Sequence, residues 1–152
     1  MKDIGHIISE HAFFSDLPER YCKLIGGCGK AEVFEPGQFL FKTGNKATQF
    51  FLVRHGQVAL ELHAPGKDVF RFQTIGHGGI VGWSWLFPPF TYMFDARAIE
   101  QTRVVTFDGL CLRGKCEEDH ELGYRVIKRF ANVMSRRLVE TRLQLIDVYG
   151  RE

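Results

Sequence analysis

The chain lacks the features that mark several large classes of protein. No apolar run reaches the length of a transmembrane helix, and the first residues, MKDIGHIISEHAFF, contain no apolar core of a secretory signal. The formal net charge of +2 is too small to indicate nucleic acid or an acidic membrane surface as a partner. With 152 residues, 45% of them hydrophobic and 25% charged, the sequence predicts one globular domain, which we expect in the cytoplasm.

Motifs of catalysis and of metal binding are also missing. No two of the six histidines are spaced as His-x-His, which metal-dependent jelly rolls need, and no nucleophile–base pair is recognisable. We therefore expect neither an enzyme nor a metal site. The cysteines are spaced as C-x5-C and C-x4-C, which fits neither a zinc ribbon nor a redox C-x-x-C. In a reducing compartment we expect thiols, and a four-cysteine cluster would need the fold to join the two pairs, Cys22 with Cys28 and Cys111 with Cys116.

The pattern of apolar residues and turns changes twice along the chain. Residues 1–30 predict short helices, the second of them beginning after Ser15-Asp16 and ending at Gly26-Gly27. Residues 31–110 alternate short apolar runs with turns every eight to twelve residues, without helices between them. This pattern is typical of an antiparallel double-stranded β-helix, or jelly-roll, barrel. We therefore predict a mainly β domain with short N-terminal helices and a long C-terminal helix.

Residues 117–149 contain no proline, and their apolar positions recur at helical spacing. This indicates a helix of about thirty residues and about 45 Å. Its stripe extends past any barrel edge, so we predict a homodimer through residues 122–149; the alternative is a helix packed only on its own domain. The stripe consists of Ile127, Phe130, Met134, Leu138, Thr141, Leu145 and Val148.

The loop within residues 75–98 is rich in glycine and aromatic residues. Four glycines lead to Gly82, and Trp83, Ser84 and Trp85 follow at a predicted helix start. A glycine loop that ends at a helix start directs backbone N–H groups at an anion. Alone the pattern is weak, because glycine loops are common.

Short motifs in a defined order strengthen the interpretation. Residues 34–37 and 41–44 read F-x-P-G and F-x-x-G, residues 51–58 read F-x-x-x-x-G-x-V, and residues 134–141 read M-x-R-R-L-x-x-T. With the long helix, they resemble the cyclic-nucleotide-binding domain, in particular the sensor half of the catabolite-activator and Fnr-type (Crp/Fnr) regulators. Residues 145–151 are similar to the hinge that leads to a helix-turn-helix in that family. We expect a standalone domain that does not bind DNA directly; the alternative is a regulator trimmed before its DNA-binding domain.

The resemblance also predicts how the site departs from the family. There a glycine–glutamate pair and an arginine hold the ribose and the cyclic phosphate. Here Gly82 is kept, Trp83 stands in the place of the glutamate, Tyr92 stands in that of the arginine, and Arg97 matches a different family arginine. Each lost charge-assisted hydrogen bond is worth roughly 1.5–3 kcal/mol, which together weakens binding by about two to four decades. Ordinary binding of cyclic AMP or cyclic GMP is therefore not expected, unless Arg71 or Arg97 substitutes.

Several interpretations of this region stay open. The aromatic rings either line an altered pocket for a flatter, more apolar small molecule or fill the core. A haem ligated by His77 is a further alternative, and no cofactor is identified. A dimerisation or protein-interaction module with a filled pocket, which senses nothing, is the rival function. The predicted ligand site consists of Gly82, Trp83, Ser84, Trp85, Tyr92, Arg97, Arg137 and Thr141.

Overall fold

The computed structural model of the protein describes residues 3–150. Predictions that involve residues 1, 2, 151 and 152, including the end of the hinge-like segment, lie outside the described residues. The helices are α1 (Ile4–Ser9), α2 (Glu19–Gly26), α3 (Gly109–Glu118) and α4 (His120–Tyr149), with 3₁₀ turns at Ala12–Phe14 and Ser84–Leu86. The strands are β1 (Gly29–Phe34), β2 (Phe39–Phe41), β3 (Gln49–His55), β4 (Val58–Leu62), β5 (Phe70–Ile75), β6 (Ile80–Val81), β7 (Asp95–Ala98) and β8 (Thr102–Asp108).

The eight strands form two antiparallel sheets. One sheet has the order β1-β8-β3-β6 and the other β2-β7-β4-β5, so neighbours in space are mostly distant in sequence. This is the predicted jelly roll, with the short helices before it and the long helix after it, and the fold prediction is confirmed.

Strand β3 separates two hydrophobic cores. Successive side chains of a strand point to opposite faces, and four consecutive residues of β3 are buried. Phe50 and Leu52 pack with the helices, in a core that includes Phe130 of α4. Phe51 and Val53 pack inside the roll, between the two sheets. The helices are therefore held against one outer face of the roll rather than inserted into it.

Two helices follow the roll where one was predicted. The carboxylate of Asp108 accepts hydrogen bonds from the N–H groups of Leu110 and Cys111 and so caps α3. Asp119 ends α3 and caps α4, accepting from the N–H groups of the two residues after His120. The long helix therefore begins at His120 and not at residue 117.

The prediction that all four cysteines are thiols was wrong for two of them, one from each pair in the sequence. Cys28, before β1, and Cys111, in α3, form a disulfide, with 5.8 Å between their Cα atoms. Cys22 and Cys116 are free, and burial raises the pKa of the Cys116 thiol to about 11. The spacing could not indicate the pair, because the jelly roll brings together residues 83 positions apart.

Between residues 3 and 150, none of the helices combines the length and the apolar character needed to cross a membrane.

Candidate functional site

The glycine loop, residues 76–79, joins β5 to the short strand β6, and Gly82 and Trp83 then lead to a single 3₁₀ turn. Gly78 and Gly82 have φ values of +81° and +94°, which L-residues with a side chain rarely adopt. At Gly82 a Cβ would lie 3.4 Å from the carbonyl oxygen of Gln49 and 3.5 Å from the ring of Phe41. The backbone at Gly82 thus lies next to the start of β3, and its positive φ is what favours glycine here. Ser84 opens a turn of only three residues, so the expected helix start is short.

Trp83 and Arg137 are the predicted site residues that come together. The guanidinium carbon of Arg137 lies 5.2 Å from the ring centroid of Trp83, a cation–π contact, and its Nη2 donates a hydrogen bond to the carbonyl oxygen of Ile80. Burial lowers the pKa of Arg137 to about 10, with Glu140 acting in the opposite direction. The Nη1 atom of Arg137 is buried and finds no hydrogen-bond partner within residues 3–150. This arginine therefore has an unused donor beside a flat aromatic surface.

Tyr92 lies inside the roll. Its ring stacks on Phe41, with the centroids 3.7 Å apart and the planes 6° from parallel. Its hydroxyl donates to the carbonyl oxygen of Gln49 over 2.8 Å and accepts from the N–H of the same residue over 3.1 Å. Burial raises the pKa of this hydroxyl. Tyr92 therefore hydrogen-bonds the start of β3 and occupies interior space of the roll.

Trp85 belongs to the other core and lies apart from Tyr92. It is completely buried, with its ring centroid 5.0 Å from that of Phe50 and 5.5 Å from that of Phe130. Its carbonyl oxygen accepts from Nη1 of Arg113 over 3.0 Å. Its side chain is thus packed between the roll and α4.

Arg97 and Thr141 are engaged away from Trp83. Both Nε and Nη2 of Arg97 donate to the buried carboxylate of Glu61, over 3.1 and 2.7 Å, and these bonds raise the pKa of Arg97. Arg71 reaches the same carboxylate at 3.6 Å. The hydroxyl of Thr141 donates to the carbonyl oxygen of Arg137 within α4. The eight predicted residues therefore do not converge on one point.

An open groove of about 1360 Å³ lies next to Ile80 and Arg137, which both line it. The sequence did not indicate this groove. Residues 73–80, the segment before α2 and the outer face of α4 line it. Five cationic and three anionic side chains line it, and one of them, Arg129, also donates to the carbonyl oxygens of Phe13 and Ser15. Charged residues on a helix usually indicate a solvated face, so only the position of the glycine loop could have suggested a groove here.

A second missed feature is the contact between the β5 region and α4. The amide of Gln73 donates to the carboxylate of Glu140, and Gln144 donates to the carbonyl oxygen of Phe72 over 2.7 Å. Together with the bond from Arg137 to Ile80, these contacts connect α4 to both ends of the glycine loop.

The fold and the motifs agree with comparisons to known proteins. The family profile described as "Cyclic nucleotide-binding domain" matches residues 31–119. A candidate cyclic nucleotide-binding protein of Geobacter metallireducens GS-15 is 28% identical, with a TM-score of 0.79 over 91% of this chain and 99% of that one. A cyclic nucleotide-binding domain of Methylobacillus flagellatus KT is 16% identical, with a TM-score of 0.80 over 95% and 82%. The catabolite activator protein of Thermus thermophilus is 22% identical, with a TM-score of 0.71 over 91% and 62%. No curated protein sequence matches the chain.

Proposed function

The chain belongs to the cyclic nucleotide-binding domain family, and from this premise we propose that it is a ligand-sensing regulatory domain of Crp/Fnr type with an altered ligand specificity. The observation that carries the proposal is the pairing of Trp83 with Arg137 where the family places its glutamate. The role is regulatory and not enzymatic, it is exercised in the cytoplasm, and it does not include direct DNA binding by this segment.

Two features disfavour the usual binding of cyclic AMP or cyclic GMP. The ribose hydroxyl would meet an indole at Trp83 instead of a carboxylate, and the cyclic phosphate would meet the buried, already bonded hydroxyl of Tyr92. Substitution by Arg71 or Arg97 is also disfavoured, because both reach the carboxylate of Glu61. The loss of two charge-assisted hydrogen bonds weakens binding by about two to four decades.

The contact between Trp83 and Arg137 favours a flat ligand that carries a hydrogen-bond acceptor. Such a ligand would stack on the indole and accept from Nη1 of Arg137, whose buried position makes an added acceptor favourable. The N–H groups of Trp83 and Ser84, after Gly82, would add to the site. A stronger acceptor, such as a carboxylate, would also compete with the carbonyl oxygen of Ile80 for the guanidinium.

The readout we propose is a change in how two copies of α4 pair. All residues from 138 to 149 are exposed, although many of them are apolar. An exposed apolar surface of this kind marks a protein interface, and the hydrogen bonds of Glu140 and Gln144 to β5 leave these apolar side chains uncovered. A ligand that moves Arg137 relative to Ile80 would shift this interface. The exposed apolar side chains are Leu138, Val139, Leu143, Leu145, Ile146, Val148 and Tyr149.

Isothermal titration with cyclic AMP and cyclic GMP tests the specificity. We expect no binding at micromolar concentrations, and a micromolar dissociation constant for either nucleotide would overturn the altered specificity. A thermal-shift screen of aromatic carboxylates and other flat metabolites tests for a ligand. A true ligand should stabilise the wild type and lose most of its effect in Arg137→Gln. The matched control Arg136→Gln removes a neighbouring charge on α4 and should leave the effect unchanged.

A second function is favoured by the packing inside the roll. Tyr92 stacks on Phe41, and Phe94 packs against the same ring with the centroids 5.5 Å apart. Aromatic side chains thus occupy interior space, as expected for a dimerisation module that senses nothing. A screen in which no compound raises the melting temperature, together with a dimer in light scattering, would support this alternative over ligand sensing.

A further inference from the structure

A cluster of basic side chains lies where the N-terminal segment meets the glycine loop. His11 follows α1, Arg54 and His55 end β3, and His77 lies in the loop. The ring centroids of His11 and His77 are 5.2 Å apart, and those of His55 and His77 are 6.1 Å apart. None of the four belongs to the Trp83–Arg137 site.

The hydrogen bond of His77 determines which of its ring atoms is available. Its Nδ1 lies 2.6 Å from the carbonyl oxygen of Arg54. A carbonyl oxygen only accepts, so Nδ1 must carry the proton in this contact. The Nε2 atom is then an acceptor in the neutral ring and becomes a donor when the ring is protonated. His77 can thus gain a donor without losing its bond to β3.

The charges around His11 are nearly all positive. Burial lowers the pKa of His11, and His77, Arg54 and His55 lower it further, while Glu10 alone acts in the opposite direction. Arg103 is the backbone partner of His55 in the pairing of β3 with β8.

Near these histidines, the guanidinium of Arg54 has a hydrogen-bond donor, Nε, that no acceptor satisfies within the described part of the chain. Its Nε is buried, and no residue from 3 to 150 accepts a hydrogen bond from it. A buried donor without an acceptor costs free energy, and so does a concentration of like charge. One negatively charged acceptor would relieve both costs. Because His55 and His77 are exposed and His77 lines the open groove, such a ligand could enter from solvent.

We propose that Arg54, His11, His55 and His77 form a binding site for a small oxyanion of the phosphate, sulfate or carboxylate type. The anion accepts from the Arg54 guanidinium and from protonated imidazole nitrogens of His11 and His77. Its binding is linked to proton uptake, since the protonated histidines are the donors. The site would sense an anion separately from the ligand of the Trp83–Arg137 contact.

Titration of the full chain with sulfate tests the site. Sulfate keeps its charge between about pH 5.5 and pH 7.5, where histidine titrates, so a pH dependence belongs to the protein. Binding is measured by calorimetry at constant ionic strength, with chloride as the balancing salt, and histidine ring signals are followed by NMR. We expect saturable binding that strengthens as the pH falls, by up to about tenfold per pH unit for each proton taken up. Acetate as a second probe distinguishes carboxylates from tetrahedral oxyanions.

Variants separate the site from general charge effects. Arg54→Gln should weaken sulfate binding at least about tenfold, the loss expected for one charge-assisted hydrogen bond. His77→Asn keeps a donor at the position of Nδ1 but has no second ring nitrogen that could take up a proton, so it should bind sulfate with a shallower pH dependence. The controls Lys67→Gln and His120→Asn remove a distant cation and a distant histidine and should behave like the wild type.

Several outcomes would overturn the proposal. These are the absence of saturable sulfate binding at low pH, an affinity that does not change with pH, and an equal effect of Arg54→Gln and Lys67→Gln. If Arg54→Gln does not fold, as judged by circular dichroism, His77→Asn decides. A pH dependence as steep as that of the wild type in that variant would refute a role for the His77 ring.

Discussion

Removing one oxygen atom, in Tyr92→Phe, tests whether the interior of the roll is filled. The hydroxyl of Tyr92 makes two hydrogen bonds to the backbone of Gln49, at the start of β3, while its ring stacks on Phe41. Phenylalanine keeps the stack and the volume but leaves the N–H and carbonyl groups of Gln49 without that partner. The matched control is Tyr124→Phe, because Tyr124 is 63% exposed on α4.

The expected loss follows from these contacts. Leaving part-buried backbone groups without this partner costs up to about 1–3 kcal/mol, whereas a substitution on an exposed ring stays within about 0.5 kcal/mol. For a domain of this size, about 1 kcal/mol corresponds to about 2–4 °C in the melting temperature. Tyr92→Phe should therefore melt several degrees lower than the wild type, and Tyr124→Phe should melt at the wild-type temperature.

Denaturant unfolding at two pH values gives a second readout of the same hydroxyl. Because burial raises the pKa of Tyr92 above its unfolded value of about 10, the stability from the neutral hydroxyl is complete below about pH 10. It is lost as the pH rises through the native pKa. The wild type should thus lose more stability in alkali than Tyr92→Phe does. If Tyr92→Phe and Tyr124→Phe are equally stable, or if cyclic AMP stabilises the wild type at micromolar concentration, the argument that Tyr92 fills the interior is refuted.

Three further predictions concern the dimer, the disulfide and the response to acid. Leu138→Glu should halve the mass seen by light scattering, because it places a charge in the exposed apolar surface of α4; an unchanged mass would contradict the proposed interface. Without reductant, the denatured protein should show two reactive thiols and not four, and breaking the Cys28–Cys111 bond, which spans 83 residues, should lower the free energy of unfolding by up to about 4–5 kcal/mol in denaturant titrations. Because the pKa of His11 is lowered by burial, the folded protein resists its protonation, so stability should fall as the pH drops below about 6.5 and fall less in His11→Asn. Equal slopes for the two proteins would argue against a buried His11.

The jelly roll could be predicted because turn residues and alternating apolar runs are local signals. Helix α3 could not be predicted in this way, because Gly109 and Gly114 are typical turn residues. Glycine is needed at position 109 because the backbone there lies close to the side chain of Trp85. A Cβ at Gly109 would lie 2.9 Å from that side chain. Besides the local cap from Asp108, the start of the helix therefore depends on a contact across the fold, which local patterns do not contain.

The contacts of the candidate site residues could not be predicted from the sequence. The motifs indicated the loop and Arg137, but they left open whether the aromatic residues form a pocket or a core. Trp85 and Tyr92 lie in different cores because β3 is buried on both faces, and an apolar run does not tell which face a residue joins. The partner of Arg137 could not be predicted either, since it is the backbone carbonyl of Ile80, 57 positions away.

The division of α4 into an anchored and a projecting part makes it a mechanical lever. Leu122, Val126, Phe130 and Val133 hold its first half against the body, and from residue 138 onward every side chain is exposed. Arg137 is the fulcrum of a tilt that would break the outer hydrogen bonds of α4, from Gln73 to Glu140 and from Gln144 to Phe72. Twelve residues separate it from Tyr149, which is about 18 Å of helix, so a tilt of about 10° at the fulcrum moves the tip by about 3 Å. A side-chain movement too small to alter the roll would thus be magnified at the far end, where a second helix would register it.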